Sequence, residues 1–227
     1  MRQIPPRMPS STVENYLKAI LHLRDEGGDG TVTVGEVARE LEITPGTVTI
    51  MMRHLHERGL IDYTPRRGLR LLPSGEAEAL QVVRRHRLIE LFLTEIMQLD
   101  WSEVHEEAEI LEHVVSDRLL ARMDEMLGHP THDPHGDPIP DRSGRVATVQ
   151  AAPLADMADG AYRVVRVSDE DSALLGWLQA KGITLGQEFE LSQRDRAAGI
   201  VEINRRGGES VTLALAVAEH VFVEALD

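Results

Sequence analysis

Cysteine is absent from the 227-residue sequence, and aromatic residues make up only 4% of it. The absence of cysteine excludes disulfide bonds, thiolate metal sites and cysteine nucleophiles. The sequence also has no run of about 18 apolar residues, and residues 1–11 lack an apolar segment of signal-peptide length. We therefore expect a soluble, cytoplasmic protein with no membrane partner, whose cores are built mainly from Leu, Val, Ile and Ala.

Common catalytic motifs are missing as well. The sequence contains no Gly-rich phosphate loop, no nucleophile elbow and no H-E-x-x-H pattern. A dimetal carboxylate oxidase of the helical-bundle type would need two Glu-x-x-His motifs, and the nearest pattern here has Glu112 at the i+3 position from Glu109. We therefore expect a protein without catalytic residues.

The formal net charge of −14 disfavours DNA binding at first sight, because neutralisation of phosphates supplies much of the affinity. The charge is unevenly distributed, however. Residues 1–75 carry 10 of the 24 Lys and Arg but only 9 of the 38 Asp and Glu. Within residues 44–72, five arginines face two acids, an excess of three positive charges. A DNA-binding surface is therefore expected in the N-terminal third of the chain.

The N-terminal third has the order of elements of a winged helix-turn-helix. Ser11 and Glu14 have the spacing of a capping box at the start of a first helix. Thr33 marks the start of a second helix, and Thr44 followed by proline marks the start of a third. We predict a winged helix-turn-helix DNA-binding domain over residues 1–73, with the third helix as its recognition helix.

Two short β-prone segments, 60–63 and 69–72, follow the third helix and flank a turn with two adjacent arginines. Small hydroxyl residues near the start of a recognition helix can bond phosphates and base edges, and arginines of a wing can neutralise phosphates. Helix-turn-helix units also serve as scaffolds, which is the alternative here. The predicted DNA-binding residues are Thr44, Pro45, Gly46, Thr47, Thr49, Arg53, Arg66 and Arg67.

A helical domain is predicted over residues 74–142. Apolar residues at helical spacing predict a long helix over about 74–97, a break at Gln98-Leu99 and a further helix from Asp100 to about residue 127. Because the connection is short, we expect the two helices to pack as a hairpin.

The last third of the chain has a different pattern. The segment 128–160 is rich in Pro, Gly, His and Asp without periodicity, and we predict a linker over 143–160. One short helix is expected near 173–180, and a small β-barrel is predicted over 161–227. The expected strands are 162–167, 188–191, 200–203, 211–215 and 221–224. The fold class is therefore mainly α with a small β content.

Histidines and glutamates share helical spacing in the predicted hairpin. Imidazoles and carboxylates that converge from facing helices form divalent-cation sites in helical bundles. The alternative is an ordinary acidic and solvated helix face. The residues in register are His86 and Glu90 on the first helix, and His105, Glu109, Glu112 and His113 on the second.

A second histidine-rich patch lies in the 128–160 segment. We interpret it as a flexible, solvated loop, because ordering so many loose residues around one ion would cost roughly 1–2 kcal/mol each. Its members are His129, His132, Asp133, His135 and Asp137.

Several of these motifs together resemble a known family over roughly residues 10–142. The combination is similar to the diphtheria toxin repressor family of metal-dependent regulators, and more closely to its manganese-responsive members. The C-terminal third fits that family's SH3-like barrel more loosely. The motifs are Glu14-Asn15-Tyr16-Leu17, Leu41-Glu42-Ile43-Thr44, Arg85-His86-Arg87-Leu88 with Glu90, Val104-His105-Glu106-Glu107-Ala108 through Glu112-His113, and His135-Gly136-Asp137-Pro138-Ile139-Pro140.

The resemblance implies a homodimer whose metal-bound form binds a palindromic operator on double-stranded DNA and represses metal-uptake genes. The helical domain would then hold the metal and the dimer contacts. The family's ligand positions fall on His86, Glu90 and His105 for one ion, and on Glu109, Glu112 and His113 for a neighbouring ion.

The sequence departs from the family pattern at the N-terminal ligand. That ligand is usually Met or Asp and is Asn15 here, and Lys18 stands where manganese-responsive members often have Glu. Iron-responsive members have Cys at the position of Glu109, and a hard carboxylate in place of a soft thiolate favours Mn(II), with Fe(II) second. The family's barrel can donate a carboxylate, for which Asp171 is the candidate.

The clustered acids suggest how metal would act. Our hypothesis is that a cation relieves repulsion among Glu90, Glu109 and Glu112 and connects the hairpin to the first helix through Asn15. Recognition helices of the dimer would then lie about 34–36 Å apart, one DNA turn. Two alternatives stay open: a metalloenzyme with a fused DNA-binding domain, and a regulator that binds a small molecule in an apolar cavity of the dimer interface.

Overall fold

The computed structural model describes residues 11–27, 30–148, 150–168, 171–205 and 210–226. Residues 1–10 and 28–29 of the predicted DNA-binding domain, 149 of the predicted linker, and 169–170, 206–209 and 227 of the predicted barrel segment lie outside the described residues. The chain divides into two compact units. The N-terminal unit comprises Met1–Arg85, Glu112–Val114 and Pro140–Arg145; the C-terminal unit comprises His86–Leu111, Val115–Ile139 and Val146–Asp227.

The N-terminal unit contains a winged helix-turn-helix, as predicted. Thr33 begins α2 with a complete capping box, and the Thr44 side chain accepts a hydrogen bond from the Thr47 backbone N–H at the start of α3. The two strands of the wing form an antiparallel β-hairpin in which Ile61 pairs with Leu71. The elements are α1 (Ser11–Glu26), α2 (Val34–Glu40), α3 (Pro45–Glu57), β1 (Ile61–Thr64) and β2 (Gly68–Leu71).

The capping box predicted at the start of α1 is wrong. Ser11 is already helical, and Glu14 is only 4% exposed. Its carboxylate is held instead by Arg85 and His113. A buried carboxylate needs charged or strongly hydrogen-bonding partners, and these two residues supply them.

One hydrophobic cluster joins the helices and the wing of the N-terminal unit. Leu17 and Ile20 of α1 are fully buried in it, together with Met52 and Leu55 of α3. Burial of each such side chain contributes roughly 1.5–3 kcal/mol relative to exposure. This cluster fixes α3 so that its opposite face, which includes Thr47 and Arg53, is exposed.

The long helix of the predicted hairpin is α4 (Pro73–Glu95), and a positive φ of 59° at Gln98 follows its end. The second helix is not continuous, contrary to the prediction. It consists of α5 (Val104–Leu111) and α6 (Asp117–Met126). Ser116 caps α6 by accepting a hydrogen bond from the Leu119 N–H, so the chain starts a new helix there.

The predicted packing of the hairpin is found in the C-terminal unit. Ile89 and Leu93 of α4 share a buried cluster with Val104 and Ala108 of α5. The apolar faces of the two helices therefore meet, and polar side chains next to these positions are brought together.

The C-terminal sheet has six antiparallel strands in the order β3-β8-β4-β5-β6-β7. All five predicted strands and the predicted helix are present, whereas β3 and α8 were not predicted. Leu175 and Leu178 of α7 are fully buried in the same core as Val164 of β4. The elements are β3 (Ala152–Pro153), β4 (Gly160–Val167), α7 (Ser172–Ala180), β5 (Glu188–Asp195), β6 (Ile200–Arg205), β7 (Ser210–Ala214), α8 (Leu215–Ala218) and β8 (Val221–Ala225).

The interpretation of the histidine-rich patch as a solvated loop is wrong at its centre. His129 and His132 are exposed, but Asp133 is 4% exposed and His135 is fully buried. The Asp133 side chain accepts hydrogen bonds from the backbone N–H groups of His135 and Asp137. Such local side-chain to backbone bonds order a segment without any periodic pattern.

Among the described residues, no helix combines the length and the apolar character needed to cross a membrane.

Candidate metal centre and DNA-binding surface

Three predicted ligands meet inside the C-terminal unit. His86 and Glu90 lie one turn apart on α4, and His105 lies on the facing helix α5. Nε2 of His86 is 2.9 Å from Oε1 of Glu90, and Nδ1 of His105 is 3.2 Å from the same oxygen. These two ring nitrogens are 3.2 Å apart. We refer to this group as the His86–Glu90–His105 centre.

Glu109 contacts the same two imidazoles through their other ring nitrogens. Its Oε1 lies 3.7 Å from Nδ1 of His86 and 3.8 Å from Nε2 of His105. Glu109 is partly exposed, whereas Glu90 is fully buried. The nitrogens that face Glu109 are the ones opposite those that face Glu90. The converging donor set is therefore one oxygen of Glu90 with one nitrogen each of His86 and His105, and this set fits a divalent cation.

A second group of predicted ligands lies within the N-terminal unit. Nε2 of His113 is 3.5 Å from Oε1 of Glu112, whose other oxygen is 2.9 Å from Nζ of Lys18. Asn15 belongs to the same unit, on α1. Glu112 and His113 lie in the turn after α5 and not on a continuing helix. The predicted helical spacing from Glu109 to these two residues is therefore absent, and they come together as neighbours in the sequence.

Unsatisfied polar atoms in this second group test whether it fits a cation. Oδ1 of Asn15 and Nε2 of His113 are buried and have no hydrogen-bond partner among the described residues. Nδ1 of His113 lies 2.6 Å from Oε2 of Glu14, and a carboxylate accepts, so Nδ1 carries the proton and Nε2 keeps its lone pair. This is the arrangement in which a carboxylate orients a metal-binding histidine. The residues present therefore fit a divalent cation.

Sequence reasoning missed the roles of Glu14 and Arg85. The sequence pattern assigned Glu14 to a capping box and Arg85 only to a family motif, yet Glu14 orients His113 and Arg85 in turn holds Glu14. The one available signal was that Glu14 directly precedes the predicted ligand Asn15. Its partners lie 71 and 99 residues away in the sequence, beyond any local spacing rule.

Asp171, the candidate ligand from the barrel, is engaged elsewhere. It is exposed, and its carboxylate caps α7 by accepting from the backbone N–H groups of Ala173 and Leu174. It is also absent from the groups of described residues whose atoms converge closely enough for one ion.

The predicted DNA-binding residues lie on the outer face of α3 and on the wing. Seven of the eight are exposed; Thr49 is partly buried and its hydroxyl donates to the Pro45 carbonyl at 2.8 Å. Arg66 has a positive φ of 69° in the β1–β2 turn, next to Arg67. The exposed residues are Thr44, Pro45, Gly46, Thr47, Arg53, Arg66 and Arg67.

Ile50 and His54 were not predicted. Ile50 is 71% exposed on α3, three residues after Thr47, and His54 is exposed one turn later. An apolar residue that lies off the inward stripe of a recognition helix is a signal that the sequence already contained. Such a side chain can contact a thymine methyl group in the major groove.

Comparison with known proteins covers the chain in three consecutive parts. Residues 8–69 match the family described as "Iron dependent repressor, N-terminal DNA binding domain". Residues 72–141 match "Iron dependent repressor, metal binding and dimerisation domain", and residues 152–225 match "FeoA domain".

Individual relatives match over nearly the whole length. The diphtheria toxin repressor of Corynebacterium efficiens is 33% identical, covering 95% of this chain and 96% of its own. The iron-dependent repressor IdeR of Mycobacterium leprae is 31% identical, covering 94% and 96%. A solved manganese-dependent transcriptional repressor in complex with manganese is 38% identical, with a TM-score of 0.87, covering 94% of this chain and all of that chain.

The relatives are named as transcriptional repressors, which identifies the protein as a regulator and not an enzyme. The chain belongs to the iron-dependent repressor family, the diphtheria toxin repressor family of metal-dependent, DNA-binding transcriptional regulators.

Proposed function

We propose that this protein is a manganese-responsive repressor that binds a palindromic operator as a homodimer and controls genes of metal uptake. The observation that carries the proposal is the convergence of His86, Glu90 and His105, whose donor atoms lie within 4.8 Å of one another, with Glu109 beside both imidazoles.

The donor chemistry supports manganese. All proposed ligands, His86, Glu90, His105, Glu109, Glu112, His113 and Asn15, bind through nitrogen or oxygen. Hard carboxylate oxygens suit Mn(II), whereas a soft thiolate would favour later metals. The solved manganese-dependent repressor agrees with this assignment, while the iron-dependent relatives make Fe(II) the competing ion.

Charges and lone pairs of the chain's own residues explain how metal binding would affect DNA binding. Glu90 is fully buried and Glu109 is close to the same two histidines, so two negative charges repel each other from either side of the imidazole pair. A bound divalent cation supplies the positive charge that offsets this repulsion. In the N-terminal unit, Glu14 keeps the Nε2 lone pair of His113 available, and Asn15 on α1 offers its amide oxygen. Ligand binding by a residue of α1 would restrict the helix that carries the core of the DNA-binding domain.

Contacts to DNA are proposed for the exposed face of α3 and the wing. Thr47, Ile50 and Arg53 would face base edges, and Arg66 and Arg67 would neutralise phosphates. In a homodimer the two recognition helices would occupy half-sites about 34–36 Å apart. Exposed apolar side chains of the C-terminal unit, including Ile110 at 66%, support self-association.

Operator binding measured against metal tests the proposal. Fluorescence anisotropy with a labelled operator should show an affinity at least tenfold higher in Mn(II) than in chelator, with Fe(II), Co(II) and Zn(II) compared under identical conditions. His86→Ala should remove the response, whereas His129→Ala, at an exposed histidine, should not. An operator affinity that is the same in chelator and in Mn(II) would contradict the proposal.

A further inference from the structure

We propose that a groove in the C-terminal unit binds a linear polyamine, an aliphatic chain that carries several ammonium groups. The groove has a volume of about 700 Å³, which is typical of small-molecule sites. Its wall combines the end of α4, the turn before α5, residues 133–134 and the segment after α7. None of the proposed metal ligands or DNA contacts is among the described residues that line it, so this site does not depend on the proposed function.

The charge of the groove favours a cation. Among the described residues that line it, Glu95, Asp100 and Asp133 are acidic, and none is Lys, Arg or His. Asp133 is already paired with Arg87, whose Nε lies 3.5 Å from its Oδ2. Glu95 and Asp100 therefore carry the negative charge that an occupant would balance.

The surroundings of these two acids reinforce the negative charge. Asp100 accepts hydrogen bonds only from uncharged groups, those of Ser102 and Gln179. The hydrogen bonds from Ser102 lower the pKa of Asp100, so its carboxylate is ionised at neutral pH. Glu95 is the last residue of α4, whose last turn contains no basic residue. The carbonyl groups at the end of a helix carry partial negative charge, and this charge adds to that of the carboxylate.

Apolar side chains distinguish an organic cation from a hydrated metal ion. Leu99, Trp101 and Leu185 line the same groove. Methylene groups gain free energy when they leave water for such a wall, and an ammonium group is attracted to the face of an indole ring. The carboxylates of Glu95 and Asp100 belong to different segments of the wall, α4 and the following turn. Two charges on separate segments suit a ligand with more than one ammonium group.

The aromatic part of the wall is already held in place. The Trp101 ring stacks on the buried ring of His135, with the centroids 5.6 Å apart. The Trp101 carbonyl accepts a hydrogen bond of 2.8 Å from Nε2 of His135, and the indole packs against the core of the barrel. Ligand binding therefore does not have to order this side chain, which favours affinity.

Tryptophan fluorescence of the full chain tests the site. The sequence contains two tryptophans, and Trp177 is 38% exposed outside the groove, so Trp177→Phe leaves Trp101 as the reporter. Titration with spermidine in the presence of chelator should change the emission of Trp101 and reach saturation. The uncharged 1,4-butanediol at the same concentrations should leave it unchanged.

Variants of the two acids locate the binding site. In the Trp177→Phe background, Glu95→Gln and Asp100→Asn should each weaken spermidine binding about two- to fivefold, the usual contribution of an exposed ion pair. The amide oxygen of Asp100→Asn can still accept the hydrogen bonds from Ser102. Glu190→Gln, at an exposed acid of β5 outside the groove, is the matched control and should bind spermidine like its parent.

Three results would overturn the proposal. One is the absence of a saturable change in Trp101 emission with spermidine. The second is an equal affinity in Glu95→Gln, Asp100→Asn and Glu190→Gln, which would mean that spermidine follows the overall charge of −14. The third is an affinity for n-butylamine, with its single ammonium group, that equals the affinity for spermidine. Because the titrations contain no free metal, a failure here leaves the metal-dependent function untouched.

Discussion

Nδ1 of His113 donates a hydrogen bond of 2.6 Å to Oε2 of Glu14, so a residue on α1 sets the tautomer of a proposed metal ligand. Replacing Glu14 with Ala should therefore lower Mn(II) affinity about 10- to 100-fold, the usual effect of removing a group that orients a ligand. Isothermal titration calorimetry measures the change. Asp25→Asn, an exposed acid on the same helix, should leave the affinity unchanged. Equal affinities for Glu14→Ala and the wild type would show that the hydrogen bond has no role in metal binding.

Lys18 should compete with metal for Glu112. Its ammonium lies 2.9 Å from Oε2 of Glu112, which is completely buried. A hydrogen bond between charged groups contributes about 1.5–3 kcal/mol, so its removal should raise Mn(II) affinity by about tenfold or more. We predict this gain for Lys18→Gln and no change for Lys181→Gln on the exposed end of α7. A lower affinity in Lys18→Gln would mean that the lysine supports the site instead.

The wing arginines should contribute equally to the affinity for every DNA sequence. Arg67 is exposed in the β1–β2 turn. If it contacts a phosphate, Arg67→Ala should weaken operator and non-specific DNA by the same factor and lower the slope of log K against log salt by about 1. Anisotropy at four salt concentrations measures both quantities. Arg122→Ala, an exposed arginine of α6, serves as the control with an unchanged slope.

Ile50 should recognise a base. Its side chain is 71% exposed on α3, so Ile50→Ala should leave stability within about 0.5 kcal/mol of the wild type. If Ile50 contacts a thymine methyl group, operators with uracil at single thymine positions should reveal it. Uracil lacks the methyl group, so at the contacted position it should lower the operator affinity of the wild type but not that of Ile50→Ala. If the losses of affinity from uracil and from Ile50→Ala simply add at every position, Ile50 does not contact a thymine methyl group.

Two glycines should respond oppositely to replacement by Ala. At Gly75, near the start of α4, a Cβ atom would lie 2.1 Å from the Leu60 carbonyl oxygen, so Gly75→Ala forces the backbone to shift. We expect it to lower the free energy of unfolding by about 1–3 kcal/mol. At Gly35 in α2 the nearest atom is 3.9 Å away, and Gly35→Ala should raise stability by roughly 0.5–1 kcal/mol. Thermal unfolding followed by circular dichroism compares the two.

Local chemistry explains why much of the fold was predictable. Thr33 and Thr44 each cap a helix through a residue three positions away, and such signals are present in the sequence itself. The break between α5 and α6 was missed although Ser116 is a typical N-cap, because the apolar spacing on both sides suggested one continuous helix.

The parts of the site that were not predictable depend on long-range contacts. The spacing of His86 and Glu90 follows from helix geometry, but the pairing of Glu14 with His113 is set by tertiary packing. Burial of His135 is likewise determined by Trp101 and by the edge of β4, which are 34 and 32 residues away. No periodicity or spacing rule encodes such contacts.

The carboxylate of Glu109 beside His86 and His105 has a consequence for oxidative stress. A thiolate at this position would be converted by peroxide to sulfenic and higher acids and would lose its capacity to bind metal. The proposed ligands here are imidazoles, carboxylates and one amide, none of which undergoes that chemistry. The proposed metal-binding groups would therefore escape the sulfur oxidation that inactivates thiol-based regulators.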